Sequence, residues 1–185
     1  MCACGSDILF LDDKNNAKTM SKRIVKIIGG GLAGCEGALQ LLKRGFAVKM
    51  YEMRPTKTTG AHKGDSLAEL VCSNSLKSTE PCTASGLLKK ELDMLGCALL
   101  PIARECGVPS GSALSVDREK FSKAVEKELA KYPDFTLIRE EVTSLNEDIP
   151  TIVASGPLTR RSCRASGQTD GKRQAVFLRR YRAYR

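Results

Sequence analysis

The glycines at positions 29, 31 and 34 have the G-x-G-x-x-G spacing that binds a dinucleotide pyrophosphate. The first glycine of such a loop permits a tight turn, the second lets the backbone approach the phosphates, and the third lets helix and strand pack closely. The helix that follows presents free N–H groups and the positive end of its dipole. Glu52 lies where an acid typically binds a ribose hydroxyl. We therefore predict a dinucleotide site, with a solvated acid at a strand end as the alternative for Glu52.

A second candidate for chemistry is Cys72, in the stretch ELVCSNSLK. A free cysteine is most often a buried and inert hydrophobic residue. As a thiolate in a polar loop it can instead act as a nucleophile. The general behaviour of free cysteines favours the buried, inert role, but Cys72 lies on no periodic apolar face, so the nucleophile stays open as the alternative. The other cysteines of the patterned region are expected to be structural, namely Cys35, Cys82, Cys97 and Cys106.

The loop around Cys72 also carries His62, the only histidine of the chain. We expect a solvated side chain there rather than a catalytic one. The lysines of the loop could contact RNA phosphates, although a charge run is more often simply solvated; they are Lys57, Lys63 and Lys77. The cysteines form no C-x-x-C pair, so no metal site is predicted.

The elements that must position these residues follow from the apolar pattern. Residues 24–28 form a β-branched apolar run typical of a buried parallel strand. Helical spacing then covers 31–43, and a second strand covers 46–53. Strand, helix and strand within about thirty residues form a βαβ unit. The predicted fold class is α/β, with a Rossmann-like dinucleotide-binding domain.

The later pattern consists of shorter elements. They are a loop over 55–82 with a short helix near 66–71, helices over 85–95 and from Asp117 to about 131, strands over 113–116 and 151–156, and two short strands within 135–145. Asp117 is expected to cap its helix, and Pro101 to interrupt any continuation of the helix before it.

The positive charge is concentrated at one end of the chain. The 185 residues carry a net charge of +9, of which residues 160–185 contribute +8. The remainder is nearly neutral, so its charge is no argument for RNA binding by the fold itself. No apolar run approaches the roughly twenty residues of a membrane span, and the N-terminus lacks a secretory pattern. We expect a cytoplasmic protein with reduced cysteines and with no membrane or DNA partner.

We divide the chain into an irregular extension over 1–19, a dinucleotide-binding domain over 20–159, and an Arg-rich tail over 160–185. The tail lacks apolar periodicity, and it could be a nucleic-acid arm. Loss of the reading frame after residue 159 is the favoured explanation, because the core pattern stops abruptly after a core strand. Such a loss would leave the domain without its later strands. The domain is therefore expected to be incomplete.

Several segments in order resemble the folate-dependent tRNA (uracil-5-)-methyltransferase family, whose members are FAD proteins related to bacterial glucose-inhibited division protein A. They are GGGLAGCEGALQLLKRGFAVKMYEMRP, LAELVCSNSLKS, SGSALSVDREKFS and TIVASGPLT. The similarity runs from about residue 20 to 159. The division-protein relatives share the glycine segment but not CSNS, which favours the methyltransferase branch.

The resemblance implies transfer of a one-carbon unit from methylenetetrahydrofolate to C5 of a T-loop uridine in tRNA, forming 5-methyluridine. Reduced FAD would supply electrons, NAD(P)H would reduce it, and tRNA and folate would be the partners. Cys72 matches a cysteine associated with catalysis. The residues that the resemblance assigns to FAD are Gly29, Gly30, Gly31, Leu32, Ala33 and Gly34 in the phosphate loop, Glu52 at the ribose, and Gly156 after a core strand.

Family members are far longer than this chain, so the activity of the chain itself stays open. Two other functions also stay open. One is a different FAD-dependent tRNA-modifying protein of the division-protein type. The other is a non-enzymatic basic RNA-binding fragment, in which Tyr181 and Tyr184 of the tail could stack on bases.

Overall fold

The computed structural model describes residues 23–58, 62, 64–144 and 149–156, together with the backbone of 175–177. The strands in these residues are β1 (Ile24–Ile28), β2 (Ala47–Tyr51), β3 (Ser75–Ser78), β4 (Gly107–Val108), β5 (Ala113–Val116), β6 (Phe135–Ile138), β7 (Thr151–Val153) and β8 (Ala175–Phe177). The helices are α1 (Leu32–Lys43), α2 (Ala84–Met94), α3 (Leu99–Glu105) and α4 (Arg118–Ala130).

The larger sheet has the strand order β6-β2-β1-β7-β8, and every neighbouring pair is parallel. Its central strand β1 buries Ile27 completely on the face that α1 covers, whereas Ile24 on the other face is 38% exposed. Helix α1 contacts β1 and β2 and buries its apolar face. The buried residues of that helix are Gly34, Cys35, Ala38, Leu39 and Leu42. The predicted βαβ unit and the α/β class are confirmed.

A smaller antiparallel sheet, of order β3-β5-β4, was not predicted as a unit. Only β5 had been expected from the sequence. Beside it, α4 buries Phe121, Val125 and Leu129. The Asp117 carboxylate accepts a hydrogen bond from the Lys120 backbone N–H at 3.1 Å, which confirms the predicted cap.

Helix α3 is capped from a distance by Glu36 of α1. The Glu36 carboxylate accepts hydrogen bonds from the backbone N–H groups of Ala98 and Leu99, both at 2.9 Å. Burial acts to raise the pKa of Glu36, but these bonds and those from Gln40 and Cys97 outweigh it, so the pKa lies below its usual value. The carboxylate also complements the positive end of the α3 dipole.

Three sequence predictions need correction. The short helix near 66–71 is absent, because Ala68 has a left-handed φ of +52° that a right-handed helix cannot contain. Within 135–144 only β6 forms, and 145–148 lie outside the described residues. The tail contains strand β8, which pairs with β7, so β7 has a later neighbour after all.

The break after α2 comes at Gly96, whose φ is +73°, rather than at Pro101. Pro101 instead lies in the first turn of α3, where its missing N–H costs little. Leucines recur at helical spacing over 85–95, which predicts one buried face, but Leu88 in α2 and Leu95 just after it are exposed.

Candidate functional site

The candidate site lies where β1 ends in the larger sheet. Strand β2 lies beside β1 on one side and strand β7 lies beside it on the other, so the strand order changes direction at β1. In an open parallel sheet, such a reversal opens a crevice at the carboxyl ends of the strands, where ligands bind. The Gly29 N–H donates to the Tyr51 carbonyl at 2.8 Å, and the Ala154 N–H donates to the Ile28 carbonyl at 2.8 Å. The ends of β1, β2 and β7 are therefore joined at this point.

Two positions of the loop need glycine for steric reasons. Gly29 has a φ of +105°, and a Cβ on it would lie 2.7 Å from the Ala154 carbonyl oxygen. A Cβ on Gly34 would lie only 1.9 Å from the Gly29 carbonyl oxygen. The first turn of α1 thus packs directly on the loop, as the G-x-G-x-x-G spacing predicts.

Gly31 differs from both, because a Cβ there would meet nothing within 4 Å. It is the N-cap residue of α1, with an extended φ of −75° and no side-chain cap. The first N–H groups of a helix have no intrahelical acceptor, and the first turn of α1 contains no acid. Open space beside uncapped N–H groups suits a phosphate, and a side chain at Gly31 would fill that space.

The carboxylate of Glu52, which follows β2, is buried against this loop. Its Oε2 accepts from the Gly30 N–H at 2.7 Å, and its Oε1 accepts from the Arg54 N–H at 3.2 Å and from Arg54 Nε at 2.9 Å. Burial favours the neutral acid, yet the bonds from Arg54 and Gly30 and the charge of Arg54 outweigh it and lower the pKa of Glu52. Glu52 is 6% exposed, so the solvated alternative is wrong.

Arg54 is a site residue that the sequence analysis missed. Its side chain is 2% exposed, and its Nη1 donates to Glu69 Oε2 at 2.6 Å and to the Gly64 carbonyl at 3.3 Å. The guanidinium therefore joins Glu52 to the segment that leads to Cys72. The signal was present in the motif YEMRP, but an arginine two residues beyond the ribose acid has no role in the dinucleotide-binding pattern.

The segment before Cys72 is also attached to the glycine loop directly. The Ala68 N–H donates to the Gly30 carbonyl at 2.8 Å, and the Leu67 N–H donates to Glu126 Oε1 at 2.8 Å. A Cβ on Gly30 would come within 2.4 Å of Leu67 Cδ2, so this leucine covers the glycine closely. Residues 67–70 and the glycine loop thus form one packed unit.

Cys72 itself is exposed, so it is not a buried hydrophobic residue. Cys35 is buried and donates through Sγ to the Gly30 carbonyl at 3.4 Å. Burial raises the pKa of the Cys35 thiol to about 12, so it is protonated at neutral pH and suited to packing only. Cys82 is exposed, and Cys97 and Cys106 are half-buried.

The structure brings together Gly29, Gly30, Gly34 and Glu52, with Leu32 and Ala33 in the first turn of α1 beside them. Gly156 follows β7 and has a φ of +74°. Its neighbour Ser155 lies against the glycine loop, because a Cβ on Gly29 would come within 2.8 Å of the Ser155 Cα.

Among the charged residues of the loop, Lys57 pairs with Glu141 and Lys77 is exposed. Lys63 lies outside the described residues. Within the described part of the chain, no helix is long and apolar enough to cross a membrane.

Comparison with known proteins matches residues 24–174 to the family described as glucose inhibited division protein A. The similar proteins include one named methylenetetrahydrofolate--tRNA-(uracil-5-)-methyltransferase TrmFO from Bacillus subtilis (strain 168), 51% identical over 146 residues that cover 79% of this chain and 33% of that protein. Proteins of the same name from Dictyoglomus thermophilum and Dictyoglomus turgidum are 58% and 59% identical over 135 residues, covering 73% of this chain and 31% of each. The chain thus spans about a third of the length of these relatives.

Proposed function

Because the chain belongs to the glucose inhibited division protein A family, we propose that it is the FAD-binding portion of a folate-dependent tRNA (uracil-5-)-methyltransferase. The observation that carries this proposal is the open space at Gly31, where a Cβ would meet nothing within 4 Å, together with the ionised carboxylate of Glu52 buried against the neighbouring Gly30. The choice within the family is supported by relatives at 51–59% identity that carry the methyltransferase name. The segment CSNS at Cys72 supports the same choice.

In this proposal the FAD pyrophosphate lies against the start of α1. Gly31, Leu32, Ala33 and Gly34 offer it backbone N–H groups that have no intrahelical acceptor. The N–H groups of Gly29 and Gly30 are bonded to Tyr51 and Glu52, so these two residues shape the loop around the cofactor. Glu52, as an ionised carboxylate, can only accept hydrogen bonds, which suits a ribose hydroxyl as donor. Gly156 lies past the end of β7, at the edge of the sheet where β1 also ends, and we assign it to the cofactor as well.

The proposed reaction converts a methylene group into a methyl group. Methylenetetrahydrofolate carries its one-carbon unit at the oxidation level of formaldehyde, so a methyl group at uracil C5 requires two further electrons. Reduced FAD, when bound, supplies those electrons, and NAD(P)H restores its reduced state. The uridine substrate belongs to the T-loop of a tRNA.

Cys72 is proposed as the nucleophile that activates the uracil. The C5 carbon of uracil is a poor nucleophile until a group adds to C6. Addition of the Cys72 thiolate forms an S–C6 bond and moves an electron pair to C5, which can then bond to the one-carbon unit. Loss of the C5 proton then allows the bond between the one-carbon unit and the folate nitrogen to break, so that tetrahydrofolate leaves and a methylene group remains on C5. Addition of a hydride equivalent to that methylene group completes the methyl group and expels the thiolate from C6, which restores the ring. The exposure of Cys72 suits this task, because the target base must reach its Sγ.

The cofactor assignment is tested by FAD titration of the full chain and of Gly31→Ser. Serine is a preferred N-cap residue, and Gly31 already has an extended conformation, so α1 should keep its start. Its side chain would nevertheless fill the phosphate space and satisfy an N–H group of the first turn. We expect FAD affinity to fall at least about tenfold, equivalent to about 1.4 kcal/mol. Gly37→Ser, on the same helix, is the matched control, and equal FAD affinity in Gly31→Ser and wild type contradicts the assignment.

The role of Cys72 is tested in the full-length Bacillus subtilis relative, by replacing the cysteine that aligns with Cys72 by alanine. We expect the variant to fold and retain FAD but to form no 5-methyluridine in tRNA. Alanine at the position that aligns with Cys82, which is also exposed in this chain, provides the matched control. Methylation at the wild-type rate in the first variant would return Cys72 to the structural class.

A further inference from the structure

Arg54 has a buried charge that neither the cofactor assignment nor the thiol chemistry uses. A guanidinium that is 2% exposed must be paired and hydrogen-bonded to be tolerated. Its Nε donates to Glu52 at 2.9 Å and its Nη1 to Glu69 at 2.6 Å, and the carbonyl of Gly64 accepts a further bond. Arg54 thus lies between two carboxylates from different segments, only one of which is assigned to the ribose.

We propose that Arg54 is a positioning residue of the nucleotide site, which orients the Glu52 carboxylate for the ribose and joins it, through Glu69, to the segment that leads to Cys72. This inference rests on the proposed function. Arg54 engages Glu52 Oε1 through both its backbone N–H and its Nε. That arrangement turns Oε2 toward the glycine loop, where it lies 2.7 Å from the Gly30 N–H.

The geometry requires arginine rather than a cation of any shape. The planar guanidinium presents its donors in a fixed fork, so one side chain can bind two carboxylates at once. The ammonium group of a lysine is a single point charge and does not reproduce the fork. The Arg54 backbone is held as well, because Arg139 Nη1 donates to the Arg54 carbonyl at 3.2 Å and to the Asp65 carbonyl at 2.6 Å.

The surroundings of Glu52 would otherwise be mainly acidic. Glu69 from the loop and Glu126 from α4 are the other carboxylates in its surroundings, and the Cys35 thiol from α1 is neutral. Arg139, which follows β6, adds a positive charge near Glu126. Arg54 is the group whose bond and charge keep the pKa of Glu52 low against burial. Removing the guanidinium while keeping the volume should therefore allow Glu52 to protonate at higher pH, and a protonated acid is a weaker acceptor for the ribose.

The test is FAD affinity of the full chain as a function of pH, between about pH 4 and pH 8, around the ordinary carboxyl range. Because the folded-state pKa of Glu52 is lowered, wild-type binding should persist down through that range. Arg54→Met should bind FAD at least about tenfold more weakly at neutral pH. The pH at which it loses half of its FAD binding on acidification, the acid midpoint, should be about one unit higher than in the wild type. Arg54→Lys keeps the charge but not the fork, so it should restore only part of the shift and should still bind FAD more weakly than the wild type at neutral pH. Arg104→Met, which removes an exposed arginine paired with Asp93, is the matched control.

A second measurement addresses the link to the Cys72 segment. Backbone amide exchange of residues 64–72 should slow when FAD binds the wild-type chain, and this slowing should shrink by at least about fivefold in Glu69→Gln. Exchange in α2 serves as the internal control. This variant keeps Arg54 paired with Glu52, so it gives a result even if Arg54→Met fails to fold.

The outcomes separate this inference from the function on which it rests. Wild-type chain that binds no FAD at any pH would overturn the proposed function, and the role of Arg54 with it. FAD binding by the wild type together with an unshifted acid midpoint in Arg54→Met would overturn the role of Arg54 alone. Unchanged FAD-dependent exchange in Glu69→Gln would overturn the link to Cys72.

Discussion

The substitution Gly34→Ala tests the contact on which the site is built. The added Cβ would lie 1.9 Å from the Gly29 carbonyl oxygen, which is backbone and cannot rotate away. Ordinary carbon–oxygen contacts lie at about 3.3 Å, so the start of α1 must move by roughly 1.4 Å. That movement would loosen the packing of Cys35, Ala38 and Leu39, all of them fully buried. We expect the free energy of unfolding to fall by about 1–3 kcal/mol, the usual cost of overpacking.

The assay is urea unfolding of the full chain followed by circular dichroism, with Gly37→Ala as the matched control. Gly37 lies on the same helix, and a Cβ there would come no closer than 3.9 Å to Ile27 Cδ1. Alanine is the better helix former by about 1 kcal/mol, so the control should be as stable as the wild type or more so. If Gly34→Ala unfolds at the wild-type urea concentration, α1 does not pack on the glycine loop as described, and the reasoning fails.

Two further predictions concern side chains outside that contact. A maleimide should label the exposed Cys72 and Cys82 rapidly. Cys35 is buried and its pKa is about 12, so it should react only on unfolding. Peptide mass spectrometry of the labelled native chain measures the rates, and fast labelling of Cys35 would contradict the prediction. Glu36→Gln should lower the free energy of unfolding by about 1–2 kcal/mol at neutral pH through weaker capping of α3. Because the folded-state pKa of Glu36 is lowered, the difference in free energy of unfolding between the wild type and Glu36→Gln should be complete above the ordinary carboxyl range. It should decline as the pH falls through the lowered pKa. A difference that does not depend on pH would refute the capping role.

The glycine loop was predictable from sequence because its requirements are local. Residues 24–43 contain everything that the loop needs, namely a strand, a tight turn and a helix that packs on the turn. The spacing of three glycines predicts this arrangement. The burial of α4 and its Asp117 cap were predictable for the same reason, since a helical period and an N-cap act within one element.

The missed features all depend on contacts between distant parts of the chain. Strand β3 has only four residues, with no clear alternation, and exists through its pairing with β5 almost forty residues later. The burial of Arg54 depends on Glu69, which a pattern of local periods does not connect to it. Strand β8 lies in a stretch without apolar period and is formed by pairing with β7. Tertiary pairing here outweighs local propensity.

The conformation of Ala68 shows why the segment before Cys72 could not have been read as a helix. A left-handed φ costs an alanine about 1–2 kcal/mol, and such strain persists only where the surroundings fix it. Three contacts do so: the Ala68 N–H to the Gly30 carbonyl, the Leu67 N–H to Glu126, and the bridge from Glu69 through Arg54 to Glu52. Hydrogen bonds that involve a charged group contribute about 1.5–3 kcal/mol each, so together they exceed the strain. Contacts within the fold itself therefore hold the segment that leads to Cys72 against the glycine loop.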